Sequence, residues 1–338
     1  MLKKFIKKVT AKEDLSFDEM KEAMQIITTG GTTDAQIAAL LIGLKMKGET
    51  VEEIAAAATV MREKAPVVAI KEDIILDTCG TGGDGYNSIN ISTAVSIVAA
   101  AAGVTVAKHG NRSVTSEAGS ADVLEALGVN IEMSQEKSEK MIDEIKIGFL
   151  FAPAYHKAMK FAGGVRKELG VRTIFNMLGP IINPARNTHH LMGVFAEDLT
   201  EKIAGVMKRM GVRHSAVVCG AGNMDEISIA GATRISELKN NKIKTYYIKP
   251  SDFGIKEASY EAIRGGKAER NAQILMNVFE GKDKSAYRDV IVLNSGVALY
   301  IADKTKSIKE GVLLAAQMID SGKTLKKLKE FMAYSNKK

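Results

Sequence analysis

The chain has 338 residues, 46% hydrophobic and 26% charged, with two cysteines, no tryptophan and a formal net charge of +7. That length admits two domains around a sizeable core, and cysteines as distant as Cys79 and Cys219 exclude a disulfide framework or a cysteine zinc site. A cytoplasmic protein is expected: the basic N-terminus lacks a signal-peptide core, and Ser96, Gly103 and Thr105 interrupt the longest apolar run. The positive charge suits an anionic metabolite as well as nucleic acid.

Three amphipathic helices are predicted first. Ser16 to Glu19, Thr33 to Gln36 and Thr50 to Glu53 each read as a capping box ahead of apolar residues at helical spacing. Residues 1–66 therefore form a small all-helical domain, whose stripes serve a core or a subunit interface. From Ile74 the rhythm changes to strand and helix in alternation. Ile74-Ile75-Leu76 is a strand, residues 93–102 a helix, Val104 to Ala107 a strand, and 121–127 a helix followed by Gly128 and Val129-Asn130-Ile131. A helix over 135–146 leads into strand 148–151, and a helix over 199–210 into strand 215–219. Val290-Ile291-Val292-Leu293 is one more strand, before helices through 298–300 and 313–319 and a Lys-rich tail.

Residues 155–178 are helical again, a return to the first domain, with linkers near 67–73 and 176–189. The predicted class is α/β plus a small helical domain. A mainly parallel sheet, flanked by helices, is built from residues 73–154 and 190–335.

The loop after the first α/β strand, Cys79 to Ser88, carries Gly80, Gly82, Gly83 and Gly85 and precedes a helix opening at Asn90 to Thr93. Strand, glycine loop and helix N-terminus present backbone N–H groups and a helix dipole to an anion. Ser92 and Thr93 sit where a hydroxyl can cap that helix or touch the ligand. No Gly-Lys-Ser/Thr closes the loop, and an extra glycine and an acid break the dinucleotide fingerprint, so another phosphate ligand is expected. After the next strand, Lys108 to Ser116 packs cations, an imidazole, an amide and hydroxyls into a second anion loop; His109 there serves structure or acts as a base. Asp225-Glu226 follows the strand at 215–219. The pair is either surface decoration or, opposite two phosphate loops, a Mg²⁺ site. Arg166 and Arg172 precede a Gly-Pro/Asn-Pro turn, and an arginine there either forks onto a planar carboxylate or decorates a surface helix.

Taken together these stretches resemble the anthranilate phosphoribosyltransferase family across nearly the whole chain. The resemblance rests on Gly80-Thr81-Gly82-Gly83-Asp84, Asn90-Ile91-Ser92-Thr93, Lys108-His109-Gly110-Asn111-Arg112, the run from Arg166 to Ala185, and Asp225-Glu226. It implies a nucleoside-phosphorylase-like two-domain fold, with the site in the hinge cleft and a homodimer through the helical domain. It also implies Mg²⁺-dependent transfer of a phosphoribosyl group from phosphoribosyl pyrophosphate to anthranilate, with two ions per subunit. By the same resemblance, Gly80, Gly83, Asp84, Ser88, Asn90, Ile91, Ser92 and Thr93 form the donor loop. Lys108, His109, Gly110, Asn111, Arg112, Ser113, Val114, Thr115, Ser116 and Ser120 complete it. Gly80, Asn111 and Arg166 contact anthranilate; Ser92, Asp225 and Glu226 hold the metal; Lys108 and Arg166 carry catalysis.

Two departures are local. Ser88 stands where the family often has threonine, and Ala232 where proline is expected. A pyrimidine nucleoside phosphorylase shares the fold but has Lys-His-Ser at 108–110. A nucleic-acid-binding relative lacks support, since no basic patch is interleaved with aromatic residues.

Overall fold

The computed structural model describes residues 2–113 and 117–337. Four helices open the chain: α1 (Lys3–Thr10), α2 (Phe17–Thr28), α3 (Asp34–Lys47) and α4 (Val51–Lys64). Ser16 with Glu19, and Thr50 with Glu53, close reciprocal capping boxes. Thr33 caps α3, but Gln36 does not return the bond; its side chain accepts from Thr32 instead. The unpredicted α1 buries Phe5 and Val9, a stripe masked in the sequence by five lysines among its neighbours. Glu53, fully buried, accepts from the Leu15 N–H at 2.8 Å, the Thr50 N–H at 2.8 Å and Lys47 Nζ at 2.9 Å, so its charge is satisfied where it ties three segments.

The rest alternates strand and helix. In chain order these are β1 (Ile75–Asp77), α5 (Ile91–Ala101), β2 (Thr105–Gly110), α6 (Ser120–Ala126), α7 (Gln135–Ile145), β3 (Ile147–Phe151), α8 (Ala152–Tyr155), α9 (Lys160–Leu169) and α10 (Phe175–Ile181). Then come β4 (His189–Gly193), α11 (Leu199–Arg209), β5 (His214–Gly220), β6 (Thr233–Lys239), β7 (Lys242–Ile248), α12 (Ala268–Phe279), α13 (Ala286–Ile301), α14 (Ile308–Asp320) and α15 (Lys323–Ser335). The sheet runs β3-β2-β1-β4-β5-β6-β7, parallel through β5 and antiparallel beyond it. Side-chain alternation sorts its two faces. Ala216 and Val218 of β5 join the core under α5 and α13, while Val217 and Cys219 join the core shared by α11 and the opening helices.

Three predictions need correction. Residues 290–293 lie inside α13 rather than in a strand: Val290, Ile291, Val292 and Leu293 are all buried, and a short apolar run buried on every side has no period to separate helix from strand. Val129-Asn130-Ile131 forms no strand, and 176–181 is helix, not linker. The β6–β7 hairpin was missed because its residues are largely polar. Its turn, Asn240-Asn241, has φ of 49° and 61°, the backbone a two-residue hairpin requires. Among the described residues no helix is long and apolar enough to cross a membrane.

Candidate active site

From β1 the chain moves outward to β2 and β3, whereas from β4 it moves outward to β5. The boundary between β1 and β4 is therefore the point where strand order reverses, and in α/β sheets ligands bind beyond the carboxyl ends of the strands at such a point. The glycine loop leaves β1 there. Its Thr81 N–H donates to the Gly193 carbonyl at 2.9 Å, and its Gly82 N–H to Asp225 Oδ2 at 2.5 Å. The strands fit this closely only because two glycines line the contact. A Cβ on Gly80 would lie 3.1 Å from Asp225 Oδ2, and one on Gly193 would lie 1.5 Å from the Asp225 carbonyl oxygen.

Three carboxylates, Asp84, Asp225 and Glu226, lie near enough here to feel one another's charge. Asp84 accepts from the Tyr86 N–H at 3.0 Å and from the Asp225 N–H at 3.3 Å. Burial, and then the Asp84 charge, push Asp225 up to about 7. Burial and the Asp225 charge push Glu226 well above the usual carboxylate range, with Lys108 and the Ser92 backbone pulling the other way. Acids held together against their own repulsion could hold a cation, and an all-oxygen donor set suits Mg²⁺. The sequence pointed to Asp225 and Glu226; Asp84 joins them. Tyr86 closes the arrangement: its hydroxyl donates to the Gly222 carbonyl at 2.9 Å and its ring lies 4.1 Å from that of Tyr260.

Lys108 is buried on β2 and donates to Ser92 Oγ at 3.2 Å and Thr78 Oγ1 at 3.4 Å, so its ammonium stands beside the start of α5. Neither Ser92 nor Thr93 caps that helix. Asn90 is the N-cap residue, and its side chain instead donates to the Ala118 carbonyl and accepts from Asn271. Thr93 Oγ1 is buried with no hydrogen-bond partner among the described residues. Ser88 bridges to Arg264, which pins the far end of the glycine loop.

His109, next on the strand, points to the opposite face. Its Nδ1 lies 3.1 Å from the Gly179 carbonyl, its ring packs edge-on to His156, and burial holds its pKa down at about 3. Its contacts on that face are those of a packing group, and burial keeps the ring neutral. Gly110 lies against Ser120 and Phe149, and Ser120 Oγ donates to the Asn111 carbonyl. The Arg112 guanidinium is taken up by Asp122 and Glu125 on α6, and Asp122 also accepts from the Ser113 and Gly119 N–H groups. Asn111 is exposed, and the expectations for Val114, Thr115 and Ser116 lie outside the described residues.

Arg166 on α9 is half-buried, 5.3 Å from the Phe175 ring centre, with no ion pair among the described residues. Burial lowers its pKa from the ordinary arginine value. Arg172 received no role from the resemblance, which singled out Arg166. Its guanidinium lies 4.0 Å from the Phe195 ring centre and donates to the Gly83 carbonyl, while its own carbonyl accepts from Lys45. It ties the glycine loop to the helical domain. Gly193 was likewise missed; the only sign is a glycine ending the apolar run Leu191-Met192.

Fold and site together define a glycosyl-transferring enzyme. The chain matches the family model described as the a/b domain of the glycosyl transferase family over residues 72–325, and that of its helical bundle domain over residues 3–65. It is 50% identical to the anthranilate phosphoribosyltransferase of Acetivibrio thermocellus, covering 99% of this chain and 97% of that one. The crystal structure of the Thermus thermophilus anthranilate phosphoribosyltransferase superposes with a TM-score of 0.94 at 40% identity, over 98% and 99% of the two chains. The Saccharomyces cerevisiae enzyme in complex with PRPP and Mg does so with a TM-score of 0.90 at 28% identity, over 99% and 97%. The chain belongs to the anthranilate phosphoribosyltransferase family.

Proposed function

We propose that this chain transfers the phosphoribosyl group of phosphoribosyl pyrophosphate to the amine of anthranilate, giving N-(5-phosphoribosyl)anthranilate and pyrophosphate. The observation that carries the reading is the convergence of glycine loop, buried Lys108 and three carboxylates at one crevice. The yeast relative bound to PRPP and Mg supports the same ligands here. In the reaction the C1–oxygen bond to pyrophosphate breaks, the C1–nitrogen bond forms, and the amine gives up a proton. Negative charge builds on the leaving diphosphate. Loop amides and the N-terminus of α5 face that charge, and Lys108, held by Ser92 and Thr78, adds a fixed cation.

A diphosphate oxygen that takes the Gly82 N–H releases Asp225 to serve a metal. Ser92, Asp225 and Glu226 would hold Mg²⁺, two ions per subunit, with Asp84 beside them. When bound, Mg²⁺ neutralises the leaving group as a Lewis acid. Anthranilate's aromatic amine is unprotonated at neutral pH, so no strong base is needed, in keeping with His109 being neutral. Arg166, without a carboxylate partner among the described residues, forks onto the anthranilate carboxylate, with Gly80 and Asn111 beside the ring. We assign residues 1–66 and 155–178 to a helical lobe and residues 73–154 and 190–335 to the α/β lobe. Closure of the lobes excludes water from the site. A cytoplasmic homodimer through the helical lobe completes the proposal; Met46, 77% exposed on α3, is an apolar side chain such a contact would cover.

Loss of anthranilate fluorescence on adding phosphoribosyl pyrophosphate and Mg²⁺ tests the reaction. Folded protein that consumes no anthranilate, or that phosphorolyses uridine instead, overturns it.

A further inference from the structure

At the opposite end of the same strands lies a second cluster of metal-ligating side chains, which the transfer reaction does not use. His189 begins β4 and His214 begins β5, each buried, and Asp303 sits in the turn after α13. β4 separates this cluster from Gly193 by four residue steps, about 13 Å of strand. One ligand atom from each residue lies within 4.8 Å of the others. They border an open cavity of about 250 Å³.

Hydrogen bonding fixes which ring nitrogens face the cavity. Thr188 Oγ1 donates its one proton to the Asp73 carbonyl at 3.0 Å and lies 2.8 Å from His189 Nδ1. With its proton on the Asp73 carbonyl the hydroxyl accepts from Nδ1, and His189 Nε2 is the nitrogen turned to the cavity. His214 Nε2 lies 3.1 Å from Glu237 Oε1. Glu237 also accepts from Tyr300 at 2.8 Å and Tyr246 at 2.9 Å, so it serves as an acceptor toward the ring as well. His214 therefore donates from Nε2 and turns Nδ1 to the cavity.

Both nitrogens face one carboxylate. His189 Nε2 is 3.3 Å from Asp303 Oδ2, and His214 Nδ1 is 2.9 Å from Asp303 Oδ1. Lys239 Nζ also borders the cavity but stays 4.0 Å from Asp303 Oδ1, beyond hydrogen-bond reach. The three ligand atoms converge closely enough to share one metal ion.

We infer that His189 Nε2, His214 Nδ1 and the Asp303 carboxylate form a binding site for a divalent transition metal of the Zn²⁺ class, distinct from the Mg²⁺ site and completed by water from the cavity. Two imidazoles, a carboxylate and an open position suit Zn²⁺. Thr188 and Glu237, each accepting from the far nitrogen of a ligand ring, are the supporting partners such sites need. The ion clamps the starts of β4 and β5 to the end of α13, a structural role outside the reaction.

The test uses the full chain in excess Mg²⁺, so that the carboxylates near the glycine loop are already occupied, with Zn²⁺ as titrant and Co²⁺ as optical probe. One Zn²⁺ per chain is expected, with a rise in Tm. Asp303→Asn, which keeps a residue tolerant of the 52° φ found there, removes a ligand without disturbing the transfer site. It is expected to lower Zn²⁺ affinity by more than the roughly 10–100-fold that Glu237→Gln costs, and to leave turnover unchanged. X-ray absorption of the Zn²⁺-loaded wild type, which needs no variant to fold, is expected to show two imidazole nitrogens at about 2.0–2.1 Å. No stoichiometric Zn²⁺ binding, equal affinity in Asp303→Asn, or a metal shell without imidazole overturns the inference and leaves a cluster joined by protons alone.

Discussion

Replacing Gly193 by alanine adds one methyl group at the tightest point of the proposed site. The new Cβ would sit 1.5 Å from the Asp225 carbonyl oxygen, where real Cβ contacts stay beyond 3.0 Å, so backbone must move by at least 1.5 Å. The obstacle is main chain on both sides, which cannot swing away as a side-chain tip would. What moves is the segment carrying Asp225 and Glu226. A misplacement of about 1 Å can cost roughly 100-fold in rate, and overpacking costs typically about 1–3 kcal/mol of stability. The expected result is a folded enzyme with kcat/KM down at least ~100-fold, about 2.7 kcal/mol of transition-state stabilisation. Anthranilate fluorescence decay gives the rate and thermal unfolding the stability. Gly31→Ala, whose Cβ meets nothing closer than 3.4 Å, serves as the control. Wild-type turnover in folded Gly193→Ala would refute the reasoning that Gly193 seats the metal-binding loop.

Four more outcomes follow from the same geometry. Arg166→Ala should raise the KM for anthranilate far more than that for the ribosyl donor, since the guanidinium has no carboxylate partner among the described residues; equal effects would remove its assigned role. Arg172→Ala should raise the KM for the donor, because the Gly83 carbonyl loses its tie to the helical domain; an effect confined to anthranilate would contradict this. Asp225→Asn with Glu226→Gln should shift the Mg²⁺ dependence of turnover to higher concentration, and an unchanged Mg²⁺ titration would count against the metal site. Stability should depend on pH through buried His109 and His156, held by burial at about 3 and about 4. Unfolded histidines titrate near 6.5, so below that pH the unfolded chain binds more protons and the folded state loses ground. Their contribution is complete above about pH 6.5 and falls as pH drops toward 4, by up to ~1.4 kcal/mol per pH unit for each ring. Buried Asp225 and Glu226, pushed upward, bind protons in the folded state over the same range and oppose this slope, so the difference between wild type and His156→Gln in urea unfolding is the measure. That difference should change by up to ~1.4 kcal/mol per pH unit below about pH 6.5, and a pH-independent difference would be inconsistent with a neutral buried His156.

The glycine loop, Lys108 and the Asp225-Glu226 pair were legible in the sequence because each depends on local order: a strand, then residues of unusual type, then a helix. Caps at Ser16 and Thr50 were legible for the same reason. The rest depends on partners remote in the chain. Gly193 matters only because Asp225 crosses over it, and Arg172 only because Gly83 comes within reach. Asp84 reads as a loop residue until the Asp225 N–H reaches it. Arg112 shows the converse, a cation in the predicted anion loop whose charge is spent on Asp122 and Glu125. Strand alternation also split Lys108 from His109, which adjacency in the sequence had joined. Burial on all sides hid α13, and a largely polar hairpin hid β6 and β7.

The central claim is that a diphosphate and a divalent cation share the crevice between β1 and β4. A crystal structure with phosphoribosyl pyrophosphate and Mn²⁺ in place of Mg²⁺, located by anomalous scattering, tests it most directly. The account predicts diphosphate oxygens on the Gly80–Gly83 backbone and a cation bonded to Asp225 or Glu226. A donor bound elsewhere, or a cation that touches neither acid, would contradict it.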